Sequence, residues 1–467
     1  MTRTVVRKAA LPLTLLAAMF ASSALAQTTP VPMPGWPVSV GAPIGAPQLA
    51  IADVNANGQL EIVVPTLAVG LVVYQADGSV LPGWAGGVGL TYNRVVVGNL
   101  VGDAKLELVA MRGGGGSQTR FDAYDSTGLA LPGWPLTFQP MNSSPIIVSS
   151  NTSWALGDID GDGYDEFVFL SEEEHRLAYA YDGDGSLVPG WPVSLVIPPT
   201  FPGDEFGLGG IAIADLEFDG VAEVLVTYEG ELSGVGAVNG PLWVFDGDGA
   251  VRTGWPQAIA GVGPPFVVDL DRDYTPEIVQ MGESWIRSVK PDGTVKFDGL
   301  LLGSVFILPV VGDLEGNGSR EIVVPSWFDA RVVEYGTLGI PPHFQIAATE
   351  NAHANYRGPS LGDVDGDGDL EIAMWSQPDL NPQSDMILQL WHHDFTPVAG
   401  WPMTISPAVG TNFGNSTQMA DLDGDGDAEI ILGYHGSIHV PPPTDPDFST
   451  ADTDNLEEET EEETVAT

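Results

Sequence analysis

Cysteine is absent from the 467 residues, which excludes disulfides, thiol catalysis and zinc or iron–sulfur centres held by thiolates. Basic residues are scarce: 16 Lys and Arg stand against 63 Asp and Glu, a formal net charge of −47. A chain of that sign is unsuited to nucleic acid or any anionic surface, because such partners need Lys and Arg to displace counterions. No segment after the N-terminal leader carries eighteen consecutive apolar residues, so no transmembrane segment is expected. Helical periodicity is missing there as well. Glycine and proline are plentiful instead, at 58 and 38 residues, and the apolar fraction of 43% with 12 Trp is enough to fill a core.

The N-terminus carries an address. Arg3, Arg7 and Lys8 precede an apolar run over 9–20, and Ala24-Leu25-Ala26 supplies small residues before Gln27. This is the pattern of a secretory signal peptide over 1–26. A buried first helix would give no reason for the charge cluster or the small-residue site. The expected location is therefore secreted, periplasmic or on the cell surface.

One acidic segment organises the rest. Asp158-Ile-Asp160-Gly-Asp162-Gly163-Tyr-Asp-Glu166 recurs in variant form in windows that start at 53, 99, 158, 215, 269, 313, 363 and 421. The spacing averages about 53 residues, and every window has Glu at its ninth position. A repeat of this period is one supersecondary unit that cannot bury its own apolar face. A second signal, Gly-Trp-Pro, falls between windows at 35–37, 133–135, 190–192, 254–256 and 400–402, with Gly83-Trp84-Ala85 a near match. Asp-Gly pairs such as Asp77-Gly78 precede it and mark tight turns between strands.

Each unit then reads as four strands: one before the acidic loop, one after it (62–64, 167–170, 322–324, 430–432), one ending at the Asp-Gly turn and one near Gly-Trp-Pro. Continuous apolar second strands suit a sheet covered on both faces. Four-stranded units at this period predict an all-β, eight-bladed β-propeller over 27–440, whose radial closure leaves few exposed edges. The last unit has no Gly-Trp-Pro after it, whereas the chain opens with an unmatched Pro34-Gly35-Trp36-Pro37. The N-terminal strand is thus expected to complete the last blade. Units five and six lack a clear Gly-Trp-Pro, which leaves seven blades with one degenerate unit as the alternative. From 441 to 467 the chain has ten carboxylates and no basic residue, and reads as a disordered acidic tail.

The acidic loops carry the chemistry. Alternate side chains at positions 1, 3, 5 and 9 of a tight loop converge on one centre. The candidate ligands are Asp53, Asn55, Asn57 and Glu61; Asp103 and Glu107; Asp158, Asp160, Asp162 and Glu166; and Asp215, Glu217, Asp219 and Glu223. The second half of the chain adds Asp269, Asp271, Asp273 and Glu277; Asp313, Glu315, Asn317 and Glu321; Asp363, Asp365, Asp367 and Glu371; and Asp421, Asp423, Asp425 and Glu429. Hard oxygen donors without nitrogen or sulfur select Ca2+, with up to eight ions. The loops at 158, 363 and 421 keep four carboxylates plus Gly at position 6 and should bind best, with 215 close behind. The loop at 99, with Val101 and Ala104 in place of ligand and glycine, should be weak or empty.

This pattern, Asp-x-Asp-Gly-Asp-Gly-x-x-Glu-Ile-Val between strand pairs, resembles the FG-GAP/VCBS-like repeats of integrin α-subunit propellers and of bacterial secreted proteins, over about 32–440. The resemblance implies a calcium-binding propeller with the metal loops between the first and second strands of each blade. It leaves function open between two classes. A secreted binding or adhesion scaffold for an extracellular protein or glycan is the reading adopted; a polysaccharide lyase is the alternative, since some lyases are calcium-loop propellers. For a lyase the local candidates are His343, His353, Tyr356 and Arg357, with His392 and His393 one unit later. Trp154, Trp285, Trp327 and Trp391 fall outside Gly-Trp-Pro and are candidates for a ligand surface.

Overall fold

The computed structural model describes residues 33–44, 49–86, 90–112, 119–138, 154–171, 176–197, 205–232, 236–261, 263–270, 272–282, 285–300, 309–325, 329–333, 344–347, 353–354, 358–377, 386–405, 417–434 and 437–441. The leader over 1–26 and the acidic tail from 442 on lie outside them. Among the described residues there is no helix, and so none long and apolar enough to cross a membrane.

Eight antiparallel sheets follow one another along the chain. Blades 1 to 7 span 50–85, 92–138, 154–194, 205–260, 266–300, 310–347 and 353–405. Blade 8 takes three strands from 417–439 and its outermost strand, Val38–Ser39, from the other end of the chain. The pairing is Val38 with Ile438 and Ser39 with Ser437, as the unmatched N-terminal motif predicts.

Blade 1 shows the plan: Ala50–Ala52, the acidic loop, Glu61–Pro65, Leu71–Tyr74 and Val80–Ala85 in spatial order. Blades 5 and 6 keep four strands without Gly-Trp-Pro, through Val295–Leu300 and Phe344–Ala347. That excludes the seven-blade alternative. Blade 4 departs from expectation. Its first two strands, Glu205–Ala214 and Glu223–Leu232, run ten residues each and carry an additional strand at Gly236–Val238.

The core is a ring of interfaces. Several second strands are buried along their whole length, as in Glu61–Pro65, Glu166–Leu170 and Glu277–Met281. Successive side chains of a strand point to opposite faces, so Ile62 and Val64 pack toward blade 8 while Val63 packs toward blade 2. Each of the eight apolar clusters joins two neighbouring blades; the one that holds Trp36, Ile62, Leu422 and Ile438 closes blade 8 onto blade 1.

Gly-Trp-Pro latches one blade to the next. The indole Nε1–H groups of Trp36, Trp84, Trp134, Trp191 and Trp255 donate to the carbonyls of Ala76, Ser126, Gly183, Gly247 and Pro291 at 2.8–3.0 Å, each in the turn of the following blade. The preceding glycine allows that approach. Gly190 has φ +97°, and a Cβ there would lie 1.9 Å from the Asp248 carbonyl oxygen. All five Trp–Pro bonds of the motif are cis.

Two tryptophans offered above as ligand surface belong to this core. Trp154 is 2% exposed and Trp391 7% exposed, the first packed on Phe121 and Phe167. Their strands carry them between blades, where a large apolar ring is worth more buried than displayed. Trp285 is half-buried beneath the Arg287 guanidinium, and Trp327 lies outside the described residues.

Candidate metal centres

Every acidic loop joins the first strand of its blade to the second, and its ninth residue opens that second strand. This glutamate pairs in register with the last residue of the first strand, as Ala52 with Glu61, Gly157 with Glu166 and Ala420 with Glu429. The loop thus hangs between two fixed points. A third anchor is the apolar second position, which the sequence analysis did not single out: Val54, Leu100, Ile159, Leu216, Leu270, Leu314, Val364 and Leu422 are all buried. The backbone N–H of each donates to Oε2 of its loop glutamate at 2.7–3.0 Å. A hydrophobic residue one place after the first ligand was the available signal.

Within the loop, the first carboxylate organises the backbone. Asp158 Oδ2 accepts from Gly163 N at 2.9 Å, and the same bond recurs from Asp53, Asp215, Asp269, Asp313, Asp363 and Asp421 to the sixth residue. The fifth residue accepts from the amide of the seventh, as Asp162 does from Tyr164. Neighbouring loops are also chained: the amides of Leu106, Asp165, Ala222, Leu370 and Ala428 donate to carbonyls of the preceding blade's loop.

With Oε2 engaged by the backbone, Oε1 is the glutamate oxygen left for side-chain partners, Asn55 in blade 1 and His392 in blade 7 among them. Ligand oxygens come within 4.8 Å of one another for Asp158, Asp160 and Glu166, for Asp363, Asp365 and Asp367, and for Asp421, Asp423 and Asp425. These are the three loops with four carboxylates and glycine that the sequence ranks first. In blade 7, His392 joins Asp365 and Glu371 in a similar group. The loop at 99 behaves differently: Glu107 Oε2 accepts from both Leu100 and Val101, and Asn99 Nδ2 reaches across to the Gly163 carbonyl. Asp271 lies outside the described residues.

The electrostatics favour a cation in blades 3 and 8. Burial, reinforced by the loop aspartates, pushes the Glu166 carboxyl up to about 8 and those of Glu223 and Glu429 up to about 7. Among the described residues no basic side chain pairs with Glu166 or Glu429, whereas Arg252 lies beside Glu223. Buried acids with like-charged neighbours favour protonation unless a cation enters. The donor set is oxygen throughout, which suits a hard divalent ion. Several loops are therefore able to coordinate a divalent metal.

A pH dependence follows for the metal-free protein. Glu166 titrates near the ordinary 4.5 when unfolded and near 8 when folded, so between those values the folded state binds more protons and stability falls as pH rises. In chelator, Glu166→Gln should melt higher than the parent at pH 8 and like it at pH 5. Equal melting temperatures of the two proteins at pH 8 would contradict this.

Residues 158–226, from the loop of blade 3 into the second strand of blade 4, match the FG-GAP-like repeat family. No curated protein matches the chain. Among solved structures, the exotype rhamnogalacturonan lyase YesX is similar over 88% of this chain and 76% of its own, with 16% identity and a TM-score of 0.53. The V. cholerae biofilm matrix protein Bap1 matches over 89% and 91%, with 13% identity and a TM-score of 0.43. The Pseudomonas aeruginosa PilY1 C-terminal domain matches over 82% and 92%, with 10% identity and a TM-score of 0.39. At these identities the likeness is one of fold.

Proposed function

We propose that this chain is an exported propeller in which calcium stiffens the loops of one rim, and that the ring serves as a binding or adhesion scaffold for an extracellular protein or glycan. The supporting observation is the glutamate that opens the second strand of a blade, buried in blade 3 and half-buried in blade 8, beside converging aspartates and, among the described residues, without a basic partner in either. Asp158, Asp160, Asp162 and Glu166 would hold one ion, and the equivalent residues of blades 7 and 8 two more. A ring closed by its own first strand is a rigid platform, and a net charge of −47 disfavours anionic partners. In this reading 1–26 is removed on export and 441–467 is a solvated acidic tail.

Arrays of glycans and extracellular proteins, probed with and without calcium, test the scaffold. Retention on one class of ligand that disappears in chelator is expected; no retention on any ligand would overturn it. A lyase reading draws on the fold shared with YesX. Of its candidate residues, His343, Tyr356 and Arg357 and the His353 side chain lie outside the described residues. His392 and His393 contact the acidic loop of their own blade, at 3.0 Å from Glu371 and 2.9 Å from Asp369. Unsaturated product released from uronate polymers would decide for the lyase.

A further inference from the structure

The loops of blades 4 and 5 look like their neighbours in sequence but not in their surroundings. Arg252 lies among the blade 4 carboxylates, paired with Glu217 and, at 2.8 Å, with Oε1 of Glu223. Lys296 does the same in blade 5: its ammonium contacts Oε1 of Glu277 and lies 3.4 Å from Asp273 Oδ2. Its side chain is only 9% exposed.

The two cations occupy one register position. The Trp amide of each Gly-Trp-Pro accepts its place from the residue three before it, donating to the carbonyls of Met33, Leu131, Val188, Arg252 and Val398. Counting from the tight turn puts Leu81 and Lys296 at the same place, two residues after Ser79 and Thr294. The position is thus apolar in blades 1, 2, 3, 7 and 8 and basic in blades 4 and 5. Both basic side chains reach Oε1 of the loop glutamate, whose blade 3 counterpart Glu166 has carboxylates and, among the described residues, no basic side chain beside it.

We infer that Arg252 and Lys296 are tethered replacements for the metal ion, so that the loops of blades 4 and 5 take no divalent cation although Asp215, Glu217, Asp219, Glu223, Asp269, Asp273 and Glu277 are present. This rests on the proposal that the other loops bind calcium. The physical logic is that a buried carboxylate needs a positive partner, and a covalently attached one is always present. A divalent ion beside it would meet like charge at contact distance. The ring is then built with a calcium-independent sector next to calcium-dependent ones.

Calcium stoichiometry by native mass spectrometry on the full chain tests this. Arg252→Leu and Lys296→Leu, which install the residue of blades 1 and 2, should each raise the count by one ion. The reciprocal Val188→Lys should lower it by one by filling the loop of blade 3. Hydrogen exchange on the unmodified protein gives a second readout that needs no variant. On chelation the amides of Ile159 and Leu422 should exchange at least about tenfold faster, and those of Leu216 and Leu270 less than about twofold. Counts unchanged in both leucine variants, or equal acceleration at all four amides, would overturn the inference while leaving calcium binding intact. A parent protein that binds no calcium would sink both.

Discussion

Deletion of residues 33–44 is expected to abolish the cooperative melt of this protein and to open it to proteolysis. The segment does three things at once. Val38–Ser39 covers the strand Ser437–His439, whose edge would otherwise be free to pair with another chain. Trp36, Val40 and Ala42 are buried, and burying one large and one medium apolar side chain is worth about 1.5–3 kcal/mol each. The Trp36 indole also holds the turn of blade 1 through Ala76, so its loss unlatches the interface between first and last blades. Against a typical total stability of about 5–15 kcal/mol, roughly 5 kcal/mol of side-chain burial plus an opened ring is decisive. Calorimetry and limited trypsin digestion are the measurements. A single sharp transition at the parental temperature would show that closure does not hold the ring.

Chelation should have the second-largest effect, lowering the melting temperature by about 10 °C. Three loops, in blades 3, 7 and 8, bring ligand oxygens together. An ion at 100 times its dissociation constant contributes about 2.7 kcal/mol to the folded state, and three such sites about 8 kcal/mol. Unfolding entropy of roughly 2.1 cal/mol/K per residue over a ring of about 400 residues converts that to about 10 °C. Differential scanning calorimetry with EDTA and with excess calcium measures it directly, and Mg2+ should restore less than Ca2+ because it dehydrates reluctantly. Coincident melts in chelator and in calcium would remove the ions from the account of stability.

The architecture was legible because its signals repeat in phase. Eight acidic windows, tight-turn Asp-Gly pairs and an unmatched Trp36 together specify blade number and closure, and the sheet pairings agree. Trp154 and Trp391 were misread because they stand outside the repeat; only their strand register shows that they face a neighbouring blade. Arg252 and Lys296 were invisible for a related reason. They lie 29 and 19 residues beyond the glutamates they reach, and nothing local in sequence brings a residue after the turn onto a loop before the second strand.

The chained amides of the rim carry a final consequence. Since Leu370 donates to the Leu314 carbonyl and Ala428 to that of Asp363, disturbing one loop tugs on the backbone of the next. Binding isotherms for the ions should therefore be steeper than those of isolated pockets along the arc of blades 6 to 8. A titration would register the rim as a mechanically geared set, with slack where a fixed side-chain charge already sits.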